Sequence, residues 1–237
     1  MKLQRNLGNL ATREEGLPWY ARLLNKYIGA APNSVPMDMT ANRDGWIQLR
    51  PSLSGKIFRP DMTRLHPEQK TRLRDLLAQN IDVGMLASPF HGHVMDCGVL
   101  STRVVTNTGV LFLAGCFGAT AGISAANLKF HGFGTGTAAE GVTQTALQTE
   151  FTTEYAVDST RPTGTQSNTG SMPAVYTTIA TFSPDSGGTL PVTEHGIFAG
   201  ATGANVMWDR SVFAAVNLVS GADSLQVTYN LTLTAGG

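Results

Sequence analysis

The side-chain types that bind metal ions lie closest together between residues 91 and 97. His91 and His93 flank a glycine, and Asp96 and Cys97 follow. An extended His-x-His segment can place both imidazoles on one face of a strand, where a metal ion could reach them. The spacing matches no zinc pattern, however, and the chain has no second ligand pair. A simple bend between two parts of the chain is the stronger interpretation, and we predict no metal site.

A glycine-rich segment at residues 132–137 has the composition of a phosphate-binding loop. Gly132, Gly134 and Gly136 alternate with Phe and Thr. The lysine of a P-loop is absent, and the G-x-G-x-G spacing differs from the dinucleotide fingerprint. No convincing helix follows that would offer its N-terminus to a phosphate. We therefore expect a glycine-rich bend between strands, and no nucleotide or other cofactor.

Residue types used in hydrolysis are also present, but without a catalytic pattern. No G-x-S-x-G elbow occurs, and no two carboxylates have a spacing that suggests separate acid and base roles. We interpret Asp209-Arg210 as a structural ion pair or turn cap, and Glu194-His195 as structural residues. His131 is likewise not part of a catalytic sequence pattern. The sequence thus predicts no catalytic residue, and a chain that is not an enzyme.

Charge divides the chain into two parts. Residues 1–90 contain 13 of the 17 Lys and Arg residues and 8 of the 17 Asp and Glu residues, which gives them a net charge of +5. Residues 91–237 carry the opposite net charge, −5. A basic first part could bind nucleic acid, but it contains no recognised binding motif. An acidic protein surface would explain the basic first part equally well through charge complementarity, and we prefer a protein partner.

The fraction of charged residues is low, at 14%, against about 25% in ordinary soluble domains. Charged surface keeps free proteins apart in solution. The composition therefore favours a protein whose surface is largely covered by partner subunits. The alternative is a monomer with a surface of Thr, Ser and Asn.

Residues 1–95 read as an extended arm with two short helices. The first helix is predicted over residues 18–28, where apolar residues recur at three- and four-residue spacing after Pro18. The second opens at Pro67 and runs to about Asn80. Residues 31–61 between them contain four prolines and show no strong periodicity, which is typical of a connecting segment. Helices this short need a surface to pack on.

Residues 96–237 read as a β-sandwich domain with a jelly-roll-like topology, so that the fold class is mainly β. The clearest strand is the last, in which apolar residues alternate strictly with Gln, Thr and Asn over residues 225–233. A polar segment at residues 158–171 reads as an exposed loop that could make contacts. The other predicted strands cover residues 100–105, 109–113, 127–133, 145–156, 175–182, 190–198, 206–208 and 211–218.

Membrane and secretion signals are absent from the sequence. No apolar run approaches the ~18–20 residues of a membrane span, and the first residues lack the apolar stretch of a signal peptide. The two cysteines, Cys97 and Cys116, are most simply buried thiols in a reducing compartment. These features predict a protein made in the cytoplasm.

The second part of the chain resembles a domain that recurs in structural proteins of tailed bacteriophages. The resemblance covers roughly residues 103–237, none of its motifs is catalytic, and nothing in residues 1–95 takes part in it. It implies a virion component with a β-sandwich-like fold that is often oligomeric. The matching segments are Leu128-Lys129-Phe130-His131-Gly132, Gly134-Thr135-Gly136-Thr137-Ala138-Ala139-Glu140, Thr145-Ala146-Leu147, Val192-Thr193-Glu194-His195-Gly196-Ile197-Phe198, Asp209-Arg210-Ser211-Val212-Phe213 and Leu231-Thr232-Leu233-Thr234-Ala235-Gly236-Gly237.

We therefore expect a capsid decoration, or cement, protein on the exterior of the virion. The β domain would form a homo-oligomer, with a trimer as one option, and the arm would clamp neighbouring subunits of the major capsid protein. The alternatives are a tail, collar or fibre-base protein and a carbohydrate-binding β-sandwich module. Aromatic residues and Arg are the usual interface anchors. The predicted interface residues are Trp19, Tyr20, Leu23, Leu24, Arg43, Trp46, Arg50, Phe58, Arg59, Arg72 and Arg74.

Overall fold

Two antiparallel β-sheets form the body of the protein. The structure, a computed structural model, describes residues 47–102, 104–118 and 122–235. Its strands and helices are β1 (Ile47–Arg59), α1 (Pro67–Ala78), α2 (Val83–Leu86), β2 (His93–Ser101), α3 (Asn107–Phe117), a 3-10 turn (Ala125–Asn127), β3 (Phe130–Gly134), β4 (Thr165–Asn168), β5 (Ala174–Phe182), β6 (Thr189–Phe198), β7 (Met207–Val219) and β8 (Ser224–Ala235). One sheet has the strand order β2-β1-β8-β5-β4, and the other has the order β3-β6-β7.

The main hydrophobic core contains residues from both sheets. Leu53, Phe182 and Tyr229 come from the five-stranded sheet, and Phe133 and Trp208 come from the three-stranded sheet. All five are at most 1% exposed. The fold is therefore mainly β and sandwich-like, as the sequence predicts. The finer expectation of a jelly-roll topology stays a prediction.

The position of β1 corrects the expected domain boundary between residues 95 and 96. β1 pairs with β8 from Ile47 to Phe58 and with β2 from Leu53 to Arg59. Residues 47–95 therefore contain an interior strand of the larger sheet, and they belong to the β domain and not to an arm. Pro51 precedes the part of β1 that pairs with β2, so its missing N–H is not required by that neighbour.

Helix α1 confirms the second predicted helix. Pro67 occupies its first turn, and the Gln69 side chain accepts a hydrogen bond from the His66 backbone N–H (2.9 Å). Leu73 and Leu77 of α1 pack in a second hydrophobic cluster that includes Phe58 of β1. This cluster fixes α1 to the sheet. The predicted helix over residues 18–28 lies outside the described residues.

Helix α3 replaces a predicted strand over residues 109–113. The Thr106 side chain accepts a hydrogen bond from the Gly109 backbone N–H (3.0 Å) and so caps the helix. Phe112 packs into the main core. A short, continuously apolar run is compatible with either a strand or a helix, and here the cap and the packing decide for the helix. None of the helices in the described residues has the length and hydropathy needed to cross a membrane.

The remaining strand predictions are partly confirmed. Residues 175–182, 190–198 and 225–233 fall in β5, β6 and β8. Residues 206–208 and 211–218 belong to one long strand, β7, and the loop predicted over residues 158–171 contains the short strand β4. The strand predicted over residues 145–156 is absent from the structure. In this range only Glu150 takes part in β-pairing, through an isolated bridge with Gly134.

Candidate functional site

A buried ion pair joins strands β6 and β7. The Arg210 guanidinium donates two hydrogen bonds to one carboxylate oxygen of Glu194, at 3.0 and 2.8 Å. Both side chains are at most 1% exposed. Arg210 thus pairs with Glu194 of the neighbouring strand β6, and the predicted pairing with Asp209 is wrong because adjacent residues of a strand point to opposite faces.

Backbone N–H groups complete the surroundings of the Glu194 carboxylate. Gly136, Gln148 and Thr149 donate to it at 3.0, 3.0 and 2.7 Å. A Cβ atom at Gly136 would lie 2.5 Å from the same carboxylate, so the close approach requires glycine there. The glycine-rich segment that resembled a phosphate loop therefore wraps an internal carboxylate.

Two buried histidines form a second polar group. His131 Nδ1 lies 3.0 Å from His195 Nε2, and His131 Nε2 lies 3.0 Å from the Thr178 hydroxyl. Because Thr178 belongs to the other sheet, this chain of contacts joins the two sheets. Burial lowers the pKa of His131 well below its usual range and lowers the pKa of His195 to about 3, so both rings are neutral in the folded protein near pH 7.

The buried Asp209 carboxyl on β7 does not form a catalytic triad with these histidines. Burial raises the pKa of Asp209 well above its usual range. The Ser211 hydroxyl donates to Asp209 at 3.2 Å and not to a histidine. Among the described residues, the second oxygen of Asp209 and the Nδ1 atom of His195 have no hydrogen-bond partner. Asp209, Ser211 and the two histidines are at most 2% exposed, so a substrate has no access to them. The arrangement also lacks the Ser–His contact of a hydrolytic triad.

The candidate metal ligands are not brought together. His91 occupies a turn with a positive φ of 50°, and His93 begins β2. The Asp96 carboxylate accepts a hydrogen bond from the Gly98 backbone N–H (2.8 Å). Within the described ranges, no group of three or more His, Cys, Asp and Glu side chains is placed to hold a metal ion.

The predicted interface residues have different positions in the fold. Phe58 is fully buried and cannot contact a partner, because it belongs to the cluster that fixes α1. Arg59 is half exposed and forms an ion pair with Asp223 (3.1 Å). Arg50, Arg72 and Arg74 are exposed. The others lie outside the described residues: Trp19, Tyr20, Leu23, Leu24, Arg43 and Trp46.

A groove of about 720 Å³ runs along one flank of α1. Its lining is mainly apolar, and the second wall comes from residues 160–163, which the sequence placed in an exposed loop. Lys70 and Arg74, one helical turn apart, lie at this groove, and neither has an ion-pair partner among the described residues. The lining also contains Asp75, Asp185 and Asp223, so the groove carries charges of both signs. Arg161 of the second wall is only 6% exposed, and it pairs with Glu150 at 2.6 Å.

Helix α3 has an exposed apolar face that the sequence did not predict. Val110 is 50% exposed, Leu111 70% and Phe117 79%. Ala114 lies between them, and the helix contains no charged residue. The only available signal was Thr106 before the apolar run, which is a good helix cap. We call Val110, Leu111, Ala114 and Phe117 the α3 face.

The chain was also compared with known proteins. No protein-family model, curated protein or solved structure matches it.

Proposed function

We propose that this chain is a structural protein of a tailed-phage virion, and specifically a capsid decoration protein with a jelly-roll-like body. The proposal draws on the resemblance of residues 103–237 to phage structural proteins. The structural observation that carries it is the groove beside α1, where Lys70 and Arg74 meet an apolar lining. The chemical groups that could otherwise suggest catalysis are enclosed in the core, which supports a binding role for the surface.

The groove fits a loop or terminal segment of a capsid subunit that carries an acidic residue at the Lys70–Arg74 end of the groove, away from the aspartates of its lining, and apolar residues beside it. Lys70 and Arg74 would pair with the carboxylate, and the apolar lining would bury the neighbouring side chains. Because α1 is packed on the sheet through Leu73 and Leu77, this surface is formed before binding and little ordering entropy is lost. Many copies on a capsid lattice would multiply a modest affinity for each site.

The correction of the domain boundary also changes the proposed clamp. Residues 47–95 are part of the β domain, so a clamping arm is restricted to the residues before β1. Deletion of residues 1–46 is now the appropriate test of the arm, because deletion of residues 1–95 would remove an interior strand of the sheet.

Copy number in purified particles tests the virion assignment. Quantitative mass spectrometry against the major capsid protein should give about one copy for each capsid subunit if the lattice is decorated. Roughly a dozen copies or fewer would favour the tail, collar or fibre-base alternative. Absence of the chain from the particles would contradict a virion protein of any kind.

Charge reversal on α1 tests the docking site. Arg74→Glu should weaken binding of the purified protein to undecorated capsids about tenfold or more, equivalent to ~1.4 kcal/mol. Arg72→Glu is the matched control, because residues two apart in a helix point to nearly opposite sides and Arg72 does not line the groove. Equal binding by both variants and the unmodified protein would refute the groove as the docking site.

A further inference from the structure

Asn80 follows the C-terminus of α1, and its side chain reaches across to the second wall of the groove, residues 160–163. Its Nδ2 atom donates hydrogen bonds to the Thr163 carbonyl oxygen (2.9 Å) and the Thr165 hydroxyl (3.3 Å). Its Oδ1 atom accepts a hydrogen bond from the backbone N–H of Thr181 on β5 (2.8 Å). Asn80, Thr163 and Thr181 all line the groove. One amide group therefore lies between the second wall and β5.

The backbone at Asn80 would accept glycine equally well. Its φ is positive, at 55°, and the residue closes α1 in a Schellman motif. The Asn80 N–H donates to the Leu77 carbonyl (2.9 Å), and the Ile81 N–H donates to the Leu76 carbonyl (3.2 Å). Glycine is the usual residue at this position of the motif, because it has no Cβ atom that strains a positive φ. What asparagine adds over glycine is the set of contacts made by its amide.

The amide of Asn80 occupies the place of the next hydrogen bond between β4 and β5. These strands are antiparallel, and their register pairs Thr165 with Ile179. In the same register Thr163 would face Thr181, and the Thr163 carbonyl would accept a hydrogen bond directly from the Thr181 N–H. Instead, both groups bind the Asn80 amide. The amide thus holds the second wall away from β5 at the point where β4 begins.

The second wall is held on its other edge by the smaller sheet. The Pro162 carbonyl accepts a hydrogen bond from the His131 N–H (2.9 Å), and the Gly164 N–H donates to the Lys129 carbonyl (2.6 Å). Among the described residues, the bond from Asn80 is the only hydrogen bond or ion pair between the second wall and α1 or the turn that follows α1. Asn80 is therefore the polar link that sets the position of the second wall relative to α1.

We propose that Asn80 positions the groove for docking, because its amide keeps the second wall from closing onto β5. Without the amide, the Thr163 carbonyl and the Thr181 N–H would lose their partners. Unpaired backbone groups inside a protein are costly, and these two face each other, so they would pair directly. The second wall would then move towards β5, and the groove would lose part of its volume. This inference rests on the proposed docking function, but the position of the wall can be measured without capsids.

Asn80→Gly tests the role of the amide directly. The variant keeps the backbone conformation at this position and should fold, but it leaves room for Thr163 to pair with Thr181. In nuclear magnetic resonance of the full, isotope-labelled chain, a coupling across the hydrogen bond identifies the acceptor of the Thr181 N–H. This acceptor should be the Asn80 side-chain carbonyl in the unmodified protein and the Thr163 carbonyl in the variant. A variant without the coupling to Thr163, or an unmodified protein that already shows it, would overturn the proposal.

Asn80→Asp is the matched control. Its carboxylate keeps an acceptor for the Thr181 N–H but has no N–H for the Thr163 carbonyl. Thr181 should therefore stay bonded to the side chain at position 80, and β4 should gain no hydrogen bond. Direct pairing of Thr181 with Thr163 in this variant would contradict the role of the amide, because the wall would then close although the acceptor is still present.

Binding to undecorated capsids tests the consequence for docking. Asn80→Gly should bind about fivefold or more weakly than the unmodified protein, because the preformed groove is partly closed. Normal binding by Asn80→Gly, when Arg74→Glu binds weakly, would refute the positioning role and leave the docking site intact. Normal binding by Arg74→Glu would refute the groove as the docking site, whereas the coupling at Thr181 would still decide whether Asn80 holds the wall.

Discussion

The buried pair of Glu194 and Arg210 offers the sharpest test of how this fold is held together. Glu194→Gln preserves the shape of the side chain but removes the negative charge that compensates Arg210. It also places an amide NH₂ among five N–H donors, which come from three backbone groups and the guanidinium. An uncompensated buried charge costs about 3–5 kcal/mol.

The expected loss is large relative to the total stability of a domain, which is about 5–15 kcal/mol. For a domain of this size, 1 kcal/mol lowers the melting temperature by roughly 2–4 °C. Glu194→Gln should therefore lower it by about 6–20 °C. Thermal unfolding followed by circular dichroism measures the change directly.

Two further variants identify the cause of the loss. Lys56→Gln breaks an exposed ion pair with Asp82, which should cost less than ~1 kcal/mol. Adding Arg210→Gln to Glu194→Gln removes the orphaned charge and should recover at least ~1 kcal/mol. A melting temperature for Glu194→Gln within about 2 °C of the unmodified protein would refute the reasoning.

Two further properties of the core lead to measurable outcomes. Between about pH 5 and 6.5 the unfolded chain binds protons at His131 and His195 that the folded protein excludes, while the raised pKa of Asp209 lets the folded protein keep a proton that the unfolded chain releases. Acidification through this range should therefore lower the free energy of unfolding by at most about 1.4 kcal/mol per pH unit in urea titrations. Asp209→Asn removes the opposing contribution and should make this slope steeper, whereas an unchanged slope would argue against a protonated Asp209. Gly109→Ala should destabilise the fold by about 1–3 kcal/mol because its methyl group meets a backbone carbonyl of β7. Gly115→Ala meets only a flexible isoleucine side chain and should cost less; equal losses would show that the close packing of α3 is unimportant.

The sequence predicted strands well where one face is buried and the other polar. β8 followed directly from strict alternation, and β5 and β6 followed from β-branched residues between turn formers. β1 was missed because Pro51 and Gly55 interrupt its pattern, and nothing local indicates that the strand pairs with β8. Helix α3 was missed because a continuously apolar run has no periodicity that separates a strand from a helix.

The surfaces and the buried pair were harder to predict for a different reason. Glu194 and Arg210 are 16 residues apart, and only the register of β6 against β7 brings them together. Phe58 has the composition of an interface anchor, but its burial depends on the packing of α1 and α2. The exposure of the α3 face likewise depends on which side of the helix meets β7, which the sequence alone does not determine.

The pairing of β1 with β8 determines when the larger sheet can fold during synthesis of the protein. Ser54 and Thr228, which are partners across these strands, are 174 residues apart in the chain. During translation β1 leaves the ribosome long before β8 exists, so the larger sheet closes only after β8 has been made. Contacts this distant in sequence slow folding, and until then one edge of β1 and its apolar side chains must be kept from other chains.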